Sequence, residues 1–295
     1  MHQSFYKISP LAKHALPWLL LLLTSMAAQS QNILVGLKGG VNQTQTVVVA
    51  SHSVVNHLGN VFSEEAGTKI YQPLMENPRS WHAGVSVNLE ANQFLGLSFE
   101  PAFASWQFAW QTSHTWRSLE LVEQQVNLQY RHTNALHFIE LPLAARFSLP
   151  LGPVIPYVQG GGFFNIMLAG NRNIETTRVE QVNGTARSFS DGGVNYGADD
   201  FFNKNFYGVF GGAGLAFDMG YVRMALDVSY RHGLSKVTNG GNRYADAKVA
   251  DLAFDVMDDL QLRNVQVSLV CHFPVNFGGA PTNGKNRRKT KYVLP

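Results

Sequence analysis

Eight ionisable residues recur on one face of a series of alternating segments: Lys38, Glu90, Glu100, Glu140, Arg146, Arg223, Asp227 and Arg231. Four acids and four bases gathered in one narrow space can pair, and each left unpaired would lose several kcal/mol of hydration. Such a set supports either a gated polar path or a structural plug of ion pairs. The run Ser51-His52-Ser53 has hydrolase residue types, but it falls in a loop and no acid in the sequence has an evident claim on it. Asp246, Asp251, Asp255, Asp258 and Asp259 could hold a divalent cation bridging lipopolysaccharide. They lack the spacing of a calcium loop, so a solvated acidic loop is expected. Trp106, Trp110 and Trp116 are expected to be interfacial anchors rather than a carbohydrate platform. No catalytic, cofactor-binding or metal site is expected, and the chain reads as non-enzymatic.

The segments that must position these groups follow one plan, clearest at residues 137–170. There Ile139, Leu141, Leu143, Ala145 and Phe147 share one face while Glu140, Pro142, Ala144 and Arg146 share the other. After a turn with Pro150, Pro153 and Pro156, Val158, Gly160, Gly162, Phe164, Ile166 and Leu168 alternate with Tyr157, Gln159, Gly161, Phe163 and Asn165. Six further segments repeat it, at about 33–42, 82–90, 95–103, 208–217, 222–231 and 264–273. The alternation predicts a parity slip near Ser105, since Trp106, Phe108 and Trp110 fall on even numbers. Residues 111–135 are expected to prolong a hairpin, and Asn183-Gly184 to make a two-residue turn inside the loop at 171–205.

The ends differ from the middle. Residues 1–30 read as a secretory signal peptide, with Lys7 and Lys13 before the apolar run at 15–26 and cleavage near 27–30. Residues 31–273 form the barrel, and 274–295 a basic, flexible periplasmic tail with Lys285, Arg287, Arg288, Lys289 and Lys291. The tail is expected to be solvated, with residues 286–291 as a candidate contact to an anionic surface or partner. The formal charge is +3, but without the two leader lysines and five tail bases the body carries −4. A basic pI that resides in the ends excludes nucleic acid as an expected partner. The single cysteine, Cys271, rules out an internal disulfide.

Eight amphipathic strands of about ten residues, joined by alternately short and long connections, predict an all-β, antiparallel, up-and-down transmembrane barrel. A soluble barrel would turn the apolar face inward. Three features favour the membrane form. The polar face is rich in Gly, Ser and Ala rather than Lys and Glu. Aromatic residues gather at the expected interfaces: Phe94, Phe147, Tyr157, Phe217 and Tyr221 on the short-turn side, and Phe103, Trp106 and Tyr230 on the other. The last strand ends on Phe273. Because eight strands enclose only enough room for side chains, the plug of ion pairs is the expected role of the lumenal charges.

Several stretches, LVGLKGGVN at 34–42, FIELPLAARF at 138–147 and PYVQGGGFFNIML at 156–168, resemble the PorT-like outer-membrane β-barrel family, as do FYGVFGGAGLAFDMG and MALDVSYRHGLSKV further on. The resemblance spans 33–273 and implies a Gram-negative outer membrane location. For some members it implies a part in protein secretion and surface-protein maturation. The tail after Phe273 departs from the family's usual ending on the last strand. Two functions are therefore expected. One is a scaffold or partner surface, in secretion or envelope assembly, acting through loops and tail. The other is a surface adhesin or ligand-binding barrel acting through the long first and third loops. The expected partners are outer-membrane lipid, lipopolysaccharide and an envelope or secretion protein.

Even strand number and loop asymmetry place the long loops outside the cell and both termini in the periplasm. A protease site inserted near Gly184 should be cut on intact cells, and one near Gly152 should be protected. The reverse pattern would overturn the topology.

Overall fold

The computed structural model describes residues 32–52, 70–74, 80–117, 125–182, 185–242 and 257–275. The leader, the five tail bases, Ser53, Asp246, Asp251 and Asp255 lie outside the described residues. In chain order the strands are β1 (Asn32–Ala50), β2 (Ile70–Leu74), β3 (Ser80–Glu90), β4 (Leu95–Phe99), β5 (Ala102–Arg117), β6 (Gln125–Ser148), β7 (Val154–Val182), β8 (Thr185–Gly197), β9 (Asn205–Asp218), β10 (Arg223–Gly233) and β11 (Asp259–Val275).

Strand β1 pairs antiparallel with β3, β3 with β4 and β5, these with β6, and β6 with β7. The circuit continues through β9, β10 and β11, and β11 returns to β1. Segments β4 and β5 form one barrel strand, so the barrel has eight strands and no free edge. The break between them falls at Glu100-Pro101, where proline has no N–H to give the ladder. The register is the same on either side, with Val87 opposite Phe99 and Gly84 opposite Ala102.

The expected parity slip near Ser105 is absent. Trp106, Phe108 and Trp110 share the parity of Ala102 and Ala104, and all five side chains are buried inside the barrel. The outward face is apolar, with Leu37, Leu95, Val158, Leu226 and Leu269 exposed. Phe94, Phe147, Phe217 and Tyr221 are exposed near the short-turn end, as expected of a girdle, but Tyr157 points into the lumen and is 4% exposed.

The short turns are locally encoded. The Asn92 side-chain oxygen accepts from the Phe94 and Leu95 amides, both at 2.8 Å. Gly152 and Gly220 take φ values of +75° and +89°, which a side chain would strain, in the β6–β7 and β9–β10 turns.

At the other end the strands outrun the barrel. Strands β5 and β6 stay paired to Arg117 and Gln125, and β7 accompanies β6 to Gln181. Beyond Ile166, β7 leaves β9 and folds back on β8, with Val182 opposite Thr185 across two residues. Most of the loop expected at 171–205 is therefore strand. With β2 on β5, the projection is an open sheet ordered β2-β5-β6-β7-β8.

Candidate functional site

The lumen holds two layers of different chemistry. In the half towards the short turns, alternation turns Lys38, Ser86, Ser98, Glu100, Arg146, Gln159, Asp227 and His272 inward from seven of the barrel strands. The Glu100 carboxylate is the hub. It accepts from Lys38 Nζ at 2.6 Å, Ser98 Oγ at 2.8 Å, Arg146 Nη2 at 3.2 Å and Ser86 Oγ at 3.3 Å. Arg146 also donates to Gln159 Oε1 at 2.9 Å and lies 4.1 Å above the Tyr157 ring. Gln159 Nε2 and Tyr157 OH in turn donate to Asp227 at 2.6 and 3.0 Å. A buried acid thus reaches Arg146 through an amide rather than directly.

Arg223 and Asp227, both expected in the plug of paired charges, reach different partners. Arg223 sits at the short-turn rim on Glu90 and, at 3.1 Å, on Asp218. Partial burial opposes ionisation of Asp218, yet the Gly220 amide and Arg223 guanidinium hold its carboxyl below the usual range. A cavity of about 30 Å³ opens at this rim between Asn88, Glu90, Arg146, Tyr157, Arg223 and His272, room for one or two waters. Deeper in, Arg231 lies 3.5 Å from Glu140, which also accepts from Gln266 Nε2 at 3.3 Å. The eight predicted charges thus divide into a Glu100 cluster, a rim pair and a Glu140–Arg231 pair.

Above them the lumen is apolar. Trp106 meets Phe138 edge-on at 5.2 Å and Phe206 at 5.7 Å, and Phe138 meets Phe206 at 4.9 Å. Phe108, Trp110, Phe163, Phe202, Leu260 and Leu262 complete the layer. These ring separations are those of favourable aromatic pairs. Arg231 joins the layers, its guanidinium 5.1 Å from the Phe210 ring and 5.5 Å from that of Phe163. Trp106 and Trp110 are therefore core residues, 1% and 2% exposed, and not interfacial anchors. The signal was available: their parity matches the lumen face, and only the prior that tryptophan favours an interface argued otherwise. The Trp116 side chain lies outside the described residues.

An acid does reach Ser51 and His52, from the residue just before the last strand. Asp258 accepts from Ser51 Oγ at 3.3 Å and the His52 amide at 2.8 Å. The Ser51 hydroxyl thus addresses a carboxylate, an acceptor that ties the loop down but does not pass the proton on through an imidazole. Asp258 and Asp259 are 1% and 8% exposed, not solvated, and Lys236 donates to Asp259 at 2.6 Å. Tyr71 bonds Thr46 beside them; burial, with Asp258 adding, pushes its phenol well above the usual range despite Thr46. Among the described residues no group of three or more His, Cys, Asp or Glu side chains is placed to hold a metal ion.

A family model described as "Outer membrane protein beta-barrel domain" matches residues 27–239. Solved structures similar to this chain include Ail, the attachment invasion locus protein of Yersinia pestis, at 14% identity and TM-score 0.29, covering 81% of this chain and 98% of that one. Neisserial surface protein A is similar at 8% identity and TM-score 0.30, over 81% and 95%. OprG from Pseudomonas aeruginosa is similar at 11% identity and TM-score 0.31, over 84% and 98%. No curated protein matches the sequence.

The two layers predict distinct mutational costs. Glu100→Gln leaves Lys38 and Arg146 buried without their anion and should cost about 3–5 kcal/mol. Trp106→Ala should cost about 3–5 kcal/mol through the cavity it opens. Glu90→Gln, at the wetter rim, should cost about 1 kcal/mol or less. Reversible denaturant unfolding from lipid vesicles measures all three, and equal costs for Glu100 and Glu90 would contradict the assignment.

Proposed function

This chain belongs to the outer membrane protein beta-barrel domain family, and from that premise we propose a closed, non-enzymatic barrel that presents a partner-binding surface outside the cell. The barrel lies in the outer membrane, with its short turns in the periplasm and its long connections outside. The observation that carries the reading is the filled lumen. A paired-charge layer lies beneath one rich in aromatic rings, and an ion passing the rings would lose most of its hydration. Transport through the middle is thereby disfavoured, and the part built to meet other molecules is the sheet β2-β5-β6-β7-β8.

Within the family, the motifs at 138–147 and 156–168 support a PorT-like member. A role in secretion or envelope assembly is the second route by which the same surface would act. Deleting the gene separates the two, since surface proteins would stay trapped in the periplasm only under the secretion role.

Planar-bilayer recording tests the closed barrel. The intact protein should insert with no steady conductance. Trp106→Ala combined with Phe138→Ala and Glu100→Gln, which empties both layers, should introduce measurable current if it still folds. A stable, ion-selective channel in the unaltered protein would overturn the proposal.

A further inference from the structure

Closure removes free edges inside the membrane, but among the described residues the projecting sheet regains two. There strand β8 pairs with β7 on one side only, from Thr185 opposite Val182 to Gly197 opposite Asn171. Residues 185–190 are all exposed, on both faces. Folded proteins usually blunt such an edge with charged side chains, proline or a bulge. TARSFSD, residues 185–191, has no proline and no lysine, its two charged residues Arg187 and Asp191 are opposite in sign, and the register shift falls at its end, between Asp191 and Val194. Phe189 is 40% exposed, with Arg178 of the neighbouring strand 5.0 Å from its ring centroid.

The sequence of this edge is complementary to itself. An antiparallel strand of the same sequence, centred on Phe189, sets residue 187 of each copy opposite residue 191 of the other, an arginine opposite an aspartate. The two phenylalanines meet at the axis and Ser188 faces Ser190, so aromatic, polar and charged positions match together. A two-fold axis through the strand gives the closed, isologous contact typical of homodimers. Direction then decides where the second copy stands. Two barrels in one membrane point the same way, so their β8 strands run parallel. Antiparallel pairing requires one copy to be inverted, in a facing membrane. Phe189 lies level with Arg178, some nine residues along β7 from Ala169, or on the order of 30 Å of strand.

We propose that the free edge of β8 joins the same edge of a second copy in an opposing outer membrane, bridging two cells by a sheet continuous across both. This rests on the surface-presenting reading above and names its partner. Vesicles of phosphatidylcholine and phosphatidylglycerol carrying the full protein test it, with outward hairpins verified by protease cleavage at a site inserted between 182 and 185. Light scattering should show that unaltered vesicles cluster. Arg187→Asp and Asp191→Arg vesicles should each cluster about tenfold more slowly, because like charges then face each other. Mixing the two variants restores both oppositely charged pairs and should restore clustering. Variants that cluster alone as well as the unaltered protein, a mixture that fails to recover, or pairing confined to one membrane would each overturn the proposal. Outward hairpins on vesicles that stay dispersed would sink the bridge alone; inward hairpins or conducting vesicles would sink the surface reading beneath it.

Discussion

The narrowness of an eight-stranded closure governs the structure. It is measured by the glycines that face inward. A Cβ on Gly161 would lie 1.9 Å from the Leu143 carbonyl oxygen, one on Gly40 2.0 Å from that of Val267, and one on Gly208 2.2 Å from that of His232. Outward-facing Gly160, Gly162 and Gly211 would meet nothing nearer than 3.6 Å. Inside, glycine is a requirement of curvature, since backbones approach where a side chain would stand. The positions that do carry side chains then fill what space remains, and every charge must find its partner among them.

That constraint explains the division of labour along the axis. Lipid supplies no partner for an open edge or an isolated charge, so the membrane-embedded part closes its ladder and shares one carboxylate, Glu100, between two cations. The aromatic layer fills the lumen on the side of the charges away from the short turns. Outside the membrane water satisfies edges again. There the same strands continue as an open sheet, and among the described residues β8 is left unpaired on one side.

Much of this was legible from period-two alternation alone: eight strands, the inward set of charges and the short turns at Asn92, Gly152 and Gly220, while Asn183-Gly184 lies outside the described residues. Alternation states which residues share a face, so it places Lys38 and Glu100 together in the lumen. Who touches whom depends on stagger between strands distant in sequence, which spacing does not encode. Arg223 and Asp227, four residues apart on one strand, consequently reach different partners. For the Trp106 layer, parity points to the lumen while tryptophan's preference for interfaces points outward, and no spacing signal joins Asp258 to Ser51 across 207 residues. The extension of β7 and β8 was underestimated, since polar strands above a membrane lack the apolar face that announces a strand.

The central claim is that the lumen is closed by charges that depend on one another. A double-mutant cycle on Lys38 and Glu100, read by equilibrium unfolding from vesicles, measures that dependence directly. Lys38→Met and Glu100→Gln together should destabilise the barrel by less than the sum of the single changes, with a coupling of about 1–3 kcal/mol. Strictly additive costs would show that the two groups stand in the lumen as independent residues, and would contradict the account.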